Sequence, residues 1–206
     1  MRISASLLAA AVLAMGAAMP SVAAAAEAVA PQAVGCKLIR NAAQLQAIQN
    51  NLAGSYCLAN DIDAGSIANF VPIGDGNNPF TGKLFGNGWV IRNLTIESDA
   101  GYTGLFGAVD HALIQDVGLV NANITGTAST SKVGGLVGRV LAINGTSEIR
   151  RVHVSGRVAA TAMAGGIVGQ ATSLALADSW SSAGVSSAGS SYAGGAIGQA
   201  VGGTGR

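Results

Sequence analysis

Gly135-Leu136-Val137-Gly138 is the second of four boxes with two glycines around an apolar pair, and their spacing decides the fold. The others are Gly104-Leu105-Phe106-Gly107, Gly166-Ile167-Val168-Gly169 and Gly195-Ala196-Ile197-Gly198. Successive first glycines are 31, 31 and 29 residues apart. Self-similarity at such a period marks a solenoid, whose repeats bury their apolar faces only against one another. A second pattern, apolar-x-x-apolar-x-apolar, alternates with the boxes. Its copies are Ile91-x-x-Leu94-x-Ile96, Ile114-x-x-Val117-x-Leu119 and Ile149-x-x-Val152-x-Val154, with a degenerate Leu176-x-x-Ser179-x-Ser181. Residues two apart on a strand share a face, and the extra residue before each pair suits a bend. Glycine and β-branched residues fill each repeat, which argues against helical repeats. The expectation is an all-β chain, a parallel β-helix of two or three strands per turn. A β-sandwich is the competing fold, and the regular period is its main obstacle.

Composition agrees with a tightly stacked coil. Half of the residues are hydrophobic and only 10% are charged, and there are 30 glycines. Much of the apolar fraction is alanine, so each side chain buries little area. A net charge of +1 offers no electrostatic case for nucleic acid or an anionic membrane as partner. Residues 1–26 carry Arg2, an apolar Leu7–Met15 and a small-residue exit at 21–26, the pattern of a cleaved signal peptide. The alternative is an uncleaved anchor, although the apolar run is too short to span a bilayer. Residues 27–35 read as an alanine-rich linker. The expected location is therefore secreted or cell-surface by way of the periplasm, with no membrane insertion after signal removal.

Residues 36–69 read as a strand-helix-strand cap. Lys37-Leu38-Ile39 is a short strand, Asn41 caps a helix over 42–51 that Gly54 stops, and 56–63 alternates as one strand. Cys36 and Cys57 are the two cysteines, and in an exported protein they are most simply a disulfide, worth about 3 kcal/mol by chain entropy. Two free thiols, or a metal pair without further ligands, are the other readings. Residues 70–206 form the repeat array. It weakens toward Ala196, Ser179 and Ser181, and reads as uncapped at its C-terminal end. An open last coil implies end-to-end self-association.

The boxes are similar to the GLUG motif of bacterial surface and secreted proteins, including filamentous-haemagglutinin-like adhesins. The entry stretch carries the resemblance further, through 56–63, Phe70-Val71-Pro72-Ile73-Gly74, Pro79-Phe80-Thr81-Gly82 and Gly86–Ile96. It covers roughly residues 38–200. The resemblance implies a right-handed parallel β-helix, export and surface display, with no catalytic residue, because the motif is structural. The implied partners are proteins or glycans of host or neighbouring cells.

Candidate chemistry is sparse, and neither catalytic, cofactor nor metal-binding residues are assigned. Asp61 and Asp63 are the only locally paired carboxylates. They read as a solvated strand edge, with calcium ligation or acid–base work on a glycan as alternatives. His111 and His153 are isolated, and Asp110 points away from His111 if that stretch is extended. Trp89, Trp180 and Tyr192 would stack on sugar rings if exposed, although scattered aromatics more often pack at coil corners. Loops at 76–79, 125–131 and 140–147 are the expected contact surfaces of an adhesive module. A carbohydrate-active enzyme and an inert spacer of a larger exoprotein are the competing functions.

Overall fold

The computed structural model describes residues 35–141, 145–188 and 192–201. The expected leader and all of the expected linker except Gly35 lie outside the described residues. The chain is an all-β parallel β-solenoid of about 5 turns with one short helix near the N-terminus.

Four parallel sheets run the length of the stack. The six-stranded sheet takes Lys37–Ile39, Ser55–Leu58, Lys83–Phe85, Leu113–Gln115, Ser147–Arg150 and Leu174–Ala177. The seven-stranded sheet takes Ile62–Asp63, Val90–Arg92, Thr95–Ser98, Gly118–Gly126, His153–Ala160, Trp180–Ser181 and Gly184–Ser187. Two four-stranded sheets meet at the glycine boxes. One takes Tyr102–Thr103, Lys132–Gly134, Met163–Gly165 and Tyr192–Gly194, the other Phe106–Val109, Val137–Val140, Val168–Ala171 and Ile197–Ala200.

Parallel register stacks like on like in the interior. Leu84, Ile114, Ile149 and Leu176 form one column, and Ile62, Ile91, Leu119 and Val154 another. Phe106, Val137 and Val168 form a third, which Ile197 continues. Nearly all of these side chains are fully buried. Burial fades in the final described coil, where Leu174, Leu176, Val185, Ala196 and Ile197 are only partly covered.

The register corrects one detail of the sequence pattern. Ile91 pairs with Leu119, not with Ile114, so the first apolar-x-x-apolar-x-apolar copy belongs one strand later than the other three. The cause is that each coil has two bends of the same kind. One follows the six-stranded sheet at Asn87, Asp116, Arg151 and Asp178, all with φ between 49° and 57°. The other interrupts the seven-stranded sheet at Asn93 and Asn121, both with φ 56°. A single left-handed residue between two apolar ones produces the same sequence spacing at either bend. Asn and Asp tolerate this conformation because their short polar side chains bond locally. Asn121 Nδ2 donates to Asn93 Oδ1 at 2.8 Å, and Asn93 Nδ2 donates to Asp63 Oδ1 at 3.1 Å, so the second bend is stitched between coils.

The helix lies over the first coil. Asn41 accepts from Gln44 N at 2.9 Å, and Gln44 Oε1 accepts from Arg40 N at 2.8 Å. The expected ten-residue helix is shorter: α-helix covers Ala42–Gln46 and a 3₁₀ turn covers Ala47–Asn50. Ala42, Leu45 and Ile48 face the core. Gln46 Nε2 donates to Val71 O and Gln46 Oε1 accepts from Val71 N, at 3.0 and 2.9 Å, so this side chain pairs as a strand residue would. Gln49 Oε1 accepts from Gly74 N at 2.8 Å. The Cys36–Cys57 disulfide ties the strands before and after the helix, with Cα atoms 5.7 Å apart. The single strand expected over 56–63 is two, Ser55–Leu58 and Ile62–Asp63, which pair in different sheets.

Candidate functional site

The glycine boxes form the most constrained surface of the molecule. Each box is a turn at which two four-stranded sheets fold back with only backbone between them. A Cβ on the first glycine would strike the following coil: 2.7 Å from Gly134 O at Gly104, 2.4 Å from Gly166 O at Gly135, and 2.1 Å from Gly195 O at Gly166. A Cβ on the second glycine would strike the coil before: 2.4 Å from Gly74 O at Gly107, 2.7 Å from Gly107 O at Gly138, and 2.6 Å at both Gly169 and Gly198. The two glycines of each box thus face opposite ways along the stack. Glycine is required here for closeness of approach, and none of the eight takes a positive φ. The sequence motif left out a third member. Gly134, Gly165 and Gly194 precede the last three boxes, and a Cβ there would lie within 2.0 Å of the carbonyl oxygen three residues on, across the same turn.

Two columns of side chains flank this turn, exposed or half-buried except at the buried Ala108. Tyr102, Lys132, Met163 and Tyr192 form one column; Ala108, Arg139, Gln170 and Gln199 form the other. Arg139 stacks over the Tyr102 ring at 5.2 Å from its centroid and donates from Nη1 to Tyr102 Oη at 2.5 Å. Lys132 Nζ lies 5.5 Å from the same ring. Gln170 Nε2 donates to Gln199 Oε1 at 2.7 Å. The columns close on each other, so the turn is a filled seam.

The paired carboxylates are occupied with neighbours. Asp61 accepts from Val90 N at 3.0 Å and pairs with Arg92 at 2.8 Å. Asp63 Oδ1 accepts from Gly65 N at 2.9 Å as well as from Asn93. Both are exposed, and they hold successive coils together. Among the described residues no three His, Cys, Asp or Glu side chains come together. Asp110 and His111 do meet, contrary to the extended geometry: His111 takes φ 52°, which turns its Nδ1 to 2.8 Å from Asp110 Oδ1. His153 is half-buried and stacks on Trp180 with centroids 5.1 Å apart and planes 14° apart. Trp89, Trp180 and Tyr192 are 42%, 56% and 55% exposed, so they do not pack into corners.

Of the expected loops, the turn at 76–79 protrudes, with Asp75 Oδ1 accepting from Asn77 N and Asn78 N, each at 2.8 Å. The second is shorter than expected, because Thr125 and Gly126 complete the strand Gly118–Gly126 and Ser131 is buried. Residues 142–144 of the third lie outside the described residues. Two hollows border the first coil. One, of about 440 Å³, is lined by Asn69, Thr95, Glu97, Ser98, Asp99 and Thr127. The other, of about 550 Å³, lies between the helix and Val71, with Gln46, Ala47, Asn50 and Ile67.

These carboxylate contacts make stability depend on acid. The Val90 amide and Arg92 guanidinium hold Asp61 below the ordinary carboxylate value, Gly65 N and Asn93 do so for Asp63, and Arg151 does so for Asp116. A depressed folded pKa contributes stability that is complete above the unfolded value and lost as pH falls through the folded one. Urea midpoints should therefore be level near neutrality and fall once pH drops below the ordinary 3.8. Asp116→Asn, which removes the partner of Arg151, should lower the neutral midpoint and flatten its acid decline; an unchanged decline would refute the assignment.

The family model described as the M26 IgA1-specific metallo-endopeptidase N-terminal region matches residues 40–156. Halomucin of Haloquadratum walsbyi is 37% identical over 147 residues, which cover 64% of this chain and 2% of halomucin. The immunoglobulin A1 protease of Streptococcus sanguinis is 31% identical over 144 residues, 66% of this chain and 7% of that protein. The chain therefore spans a small fraction of the length of these relatives. A crystal structure of a candidate immunoglobulin A1 protease from Bacteroides ovatus superposes with a TM-score of 0.57 at 19% identity, over 81% of this chain and 62% of the other. That likeness is one of fold.

Proposed function

The chain belongs to the family of M26 IgA1-specific metallo-endopeptidase N-terminal regions, and on that premise we propose that it is a binding module of an exported protein, without catalytic residues of its own. Its activity is presentation: a stiff β-solenoid of GLUG type displays lateral turns and exposed aromatics to proteins or glycans of host or neighbouring cells. The observation that carries this reading is the family match over residues 40–156, which contains the helix and the first two boxes and maps onto scaffold. Supporting it, the carboxylates Asp61, Asp63 and Asp116 are engaged in holding coils together. The exposed Trp89, Trp180 and Tyr192 offer ring faces suited to sugars or to protein surfaces.

The test is binding of the purified exported form to immobilised IgA1 and to a mucin-type glycoprotein, with cleavage of both followed on gels. Retention without cleavage is expected, weakened roughly tenfold or more in Trp89→Ala/Trp180→Ala, as loss of an aromatic contact of about 1.4 kcal/mol or more requires. Cleavage of either protein by the wild type would overturn the module reading. So would the absence of retention on both.

A further inference from the structure

On the premise that the chain is a binding module, we propose that Lys132 and Arg139, gathered against the Tyr102 ring on the lateral face of the solenoid, bind the carboxylate of an acidic sugar. Both cations belong to the coil of the second box, which has a coil stacked on either side. Lys132 lies in register between Tyr102 and Met163, and Arg139 between Ala108 and Gln170. The two cation–ring contacts among the described residues both fall on Tyr102.

Three observations point to an anion. First, these charges have no counter-ion. Arg92 pairs with Asp61, Arg150 with Glu148 and Arg151 with Asp116, whereas no ion pair among the described residues involves Lys132 or Arg139. Both are half-buried, and a charge partly withdrawn from water without an opposite charge is costly. Neither column beside the boxes contains Asp or Glu. Asp75, next to the Gly76 that leans on the Tyr102 ring, accepts from Asn77 N and Asn78 N. Asp99 lines the hollow at Asn69 and Thr127, and Asp110 lies against His111.

Second, Arg139 is held in place with most of its donors unused. The small Ala108, one coil back, leaves it room to reach Tyr102, whose Oη accepts from Nη1. Its Nε is buried without an acceptor among the described residues. A guanidinium fixed by one hydrogen bond and a ring face has little rotamer entropy left to lose on binding. Lys132 Nζ is steadied by Thr130 O at 3.1 Å.

Third, the charge is local. A nucleic acid or a polysulfated chain needs a row of cations, and the rest of both columns is uncharged. Two cations beside the amide of Gln170 and the exposed Thr130 suit one carboxylate surrounded by hydroxyls. Arginine supplies paired donors that match a carboxylate, and lysine adds a point charge. Because the seam is filled, the sugar lies on it, and affinity for a single sugar is on the order of millimolar, raised when a glycan presents several.

Amide shifts of the isotopically labelled exported form, titrated separately with N-acetylneuraminate and glucuronate, test this without any macromolecular partner. The expected result is a saturable response at residues 132–139 to at least one of the two acids, which also tells a sialylated source from a uronate one. The methyl ester of that acid, which lacks the charge, should not bind. Lys132→Gln/Arg139→Gln should weaken binding at least tenfold with unchanged circular dichroism, as loss of both charge-assisted contacts requires. Lys37→Gln, at an exposed cation of the first coil, should leave it unchanged. If the double variant fails to fold, the comparison of acid with ester decides alone. Silence of the 132–139 amides to both acids, an ester that binds as well as its acid, full affinity in the folded double variant, or equal weakening in Lys37→Gln overturns the proposal. A wild type retained on a glycoprotein yet silent to both acids keeps the module and loses this site.

Discussion

Gly165→Ala should lower unfolding stability by about 3 kcal/mol or more, at the upper end of what overpacking costs, while Gly195→Ala should be neutral or raise it by up to about 1 kcal/mol. Both are glycines at the same turn of adjacent coils, and either would pass for a tolerant surface position in composition alone. At Gly165 a new Cβ would stand 1.9 Å from Val168 O, 2.5 Å from Gly198 N and 2.8 Å from Val168 C. All three are backbone atoms, so no side chain can swing away. The strand must shift, and with it the pairing to Lys132–Gly134 and Tyr192–Gly194. At Gly195 the space is open and φ is compatible with alanine, so the effect is reduced entropy of the unfolded chain. Urea unfolding followed by circular dichroism reads both. Equal midpoints for the two variants would show that the turn is not held by backbone contact.

Phe80→Ala should cost about 3–5 kcal/mol, as removal of a fully buried ring does. Phe80 is wholly inaccessible, with the Phe106 ring centroid 4.6 Å away and that of Tyr56 6.4 Å away. Tyr56 lies on the second rung of the six-stranded sheet, Phe106 in the first glycine box. The three rings therefore join the capped end to the first box across the interior. The backbone of Phe80 also bridges to the end of the strand Phe106–Val109 that leaves that box, donating to Ala108 O at 2.9 Å and accepting from Asp110 N at 3.0 Å. In a stack stabilised by nearest-neighbour contacts, loss at this point should uncouple the capped end from the later coils. The expected signature is a lower midpoint together with a broadened or two-step urea transition. Trp180→Ala, which removes a ring more than half exposed, should shift the midpoint by well under 1 kcal/mol. A Phe80→Ala protein with the wild-type midpoint would place the ring outside the cooperative core.

Much of this is legible in the chain because a solenoid repeats its rules. The period of the boxes reports the length of one coil, and the alternation at Leu94-x-Ile96 or Val152-x-Val154 reports which face is inside. Asn41 as a helix cap and Cys36 with Cys57 as a staple are local signals, and both appear where their chemistry places them. The phase of the second pattern is not local. Ile91-x-x-Leu94 and Ile114-x-x-Val117 look alike because two different bends each need one left-handed residue, and only strand pairing tells them apart. The meeting of Asp110 with His111 was hidden for the same reason, since it depends on a φ of 52° that sequence does not display.

Sequence by itself determined that this chain coils with a period near 30 residues, which face of each strand is apolar, and that glycine recurs at the turn. Those are properties of single repeats, written in side-chain periodicity. Tertiary structure alone decided what the glycines are for and how they differ. The first of each box faces the next coil and the second faces the previous one, so identical residues become indispensable or free according to whether a neighbour is present. The four boxes read the same along the chain; stacked, Gly166 is pressed against Gly195 O, while Gly195 meets no atom of the described residues within 4 Å. The reason is that closeness of approach is a relation between coils some 30 residues apart, and no single repeat contains it.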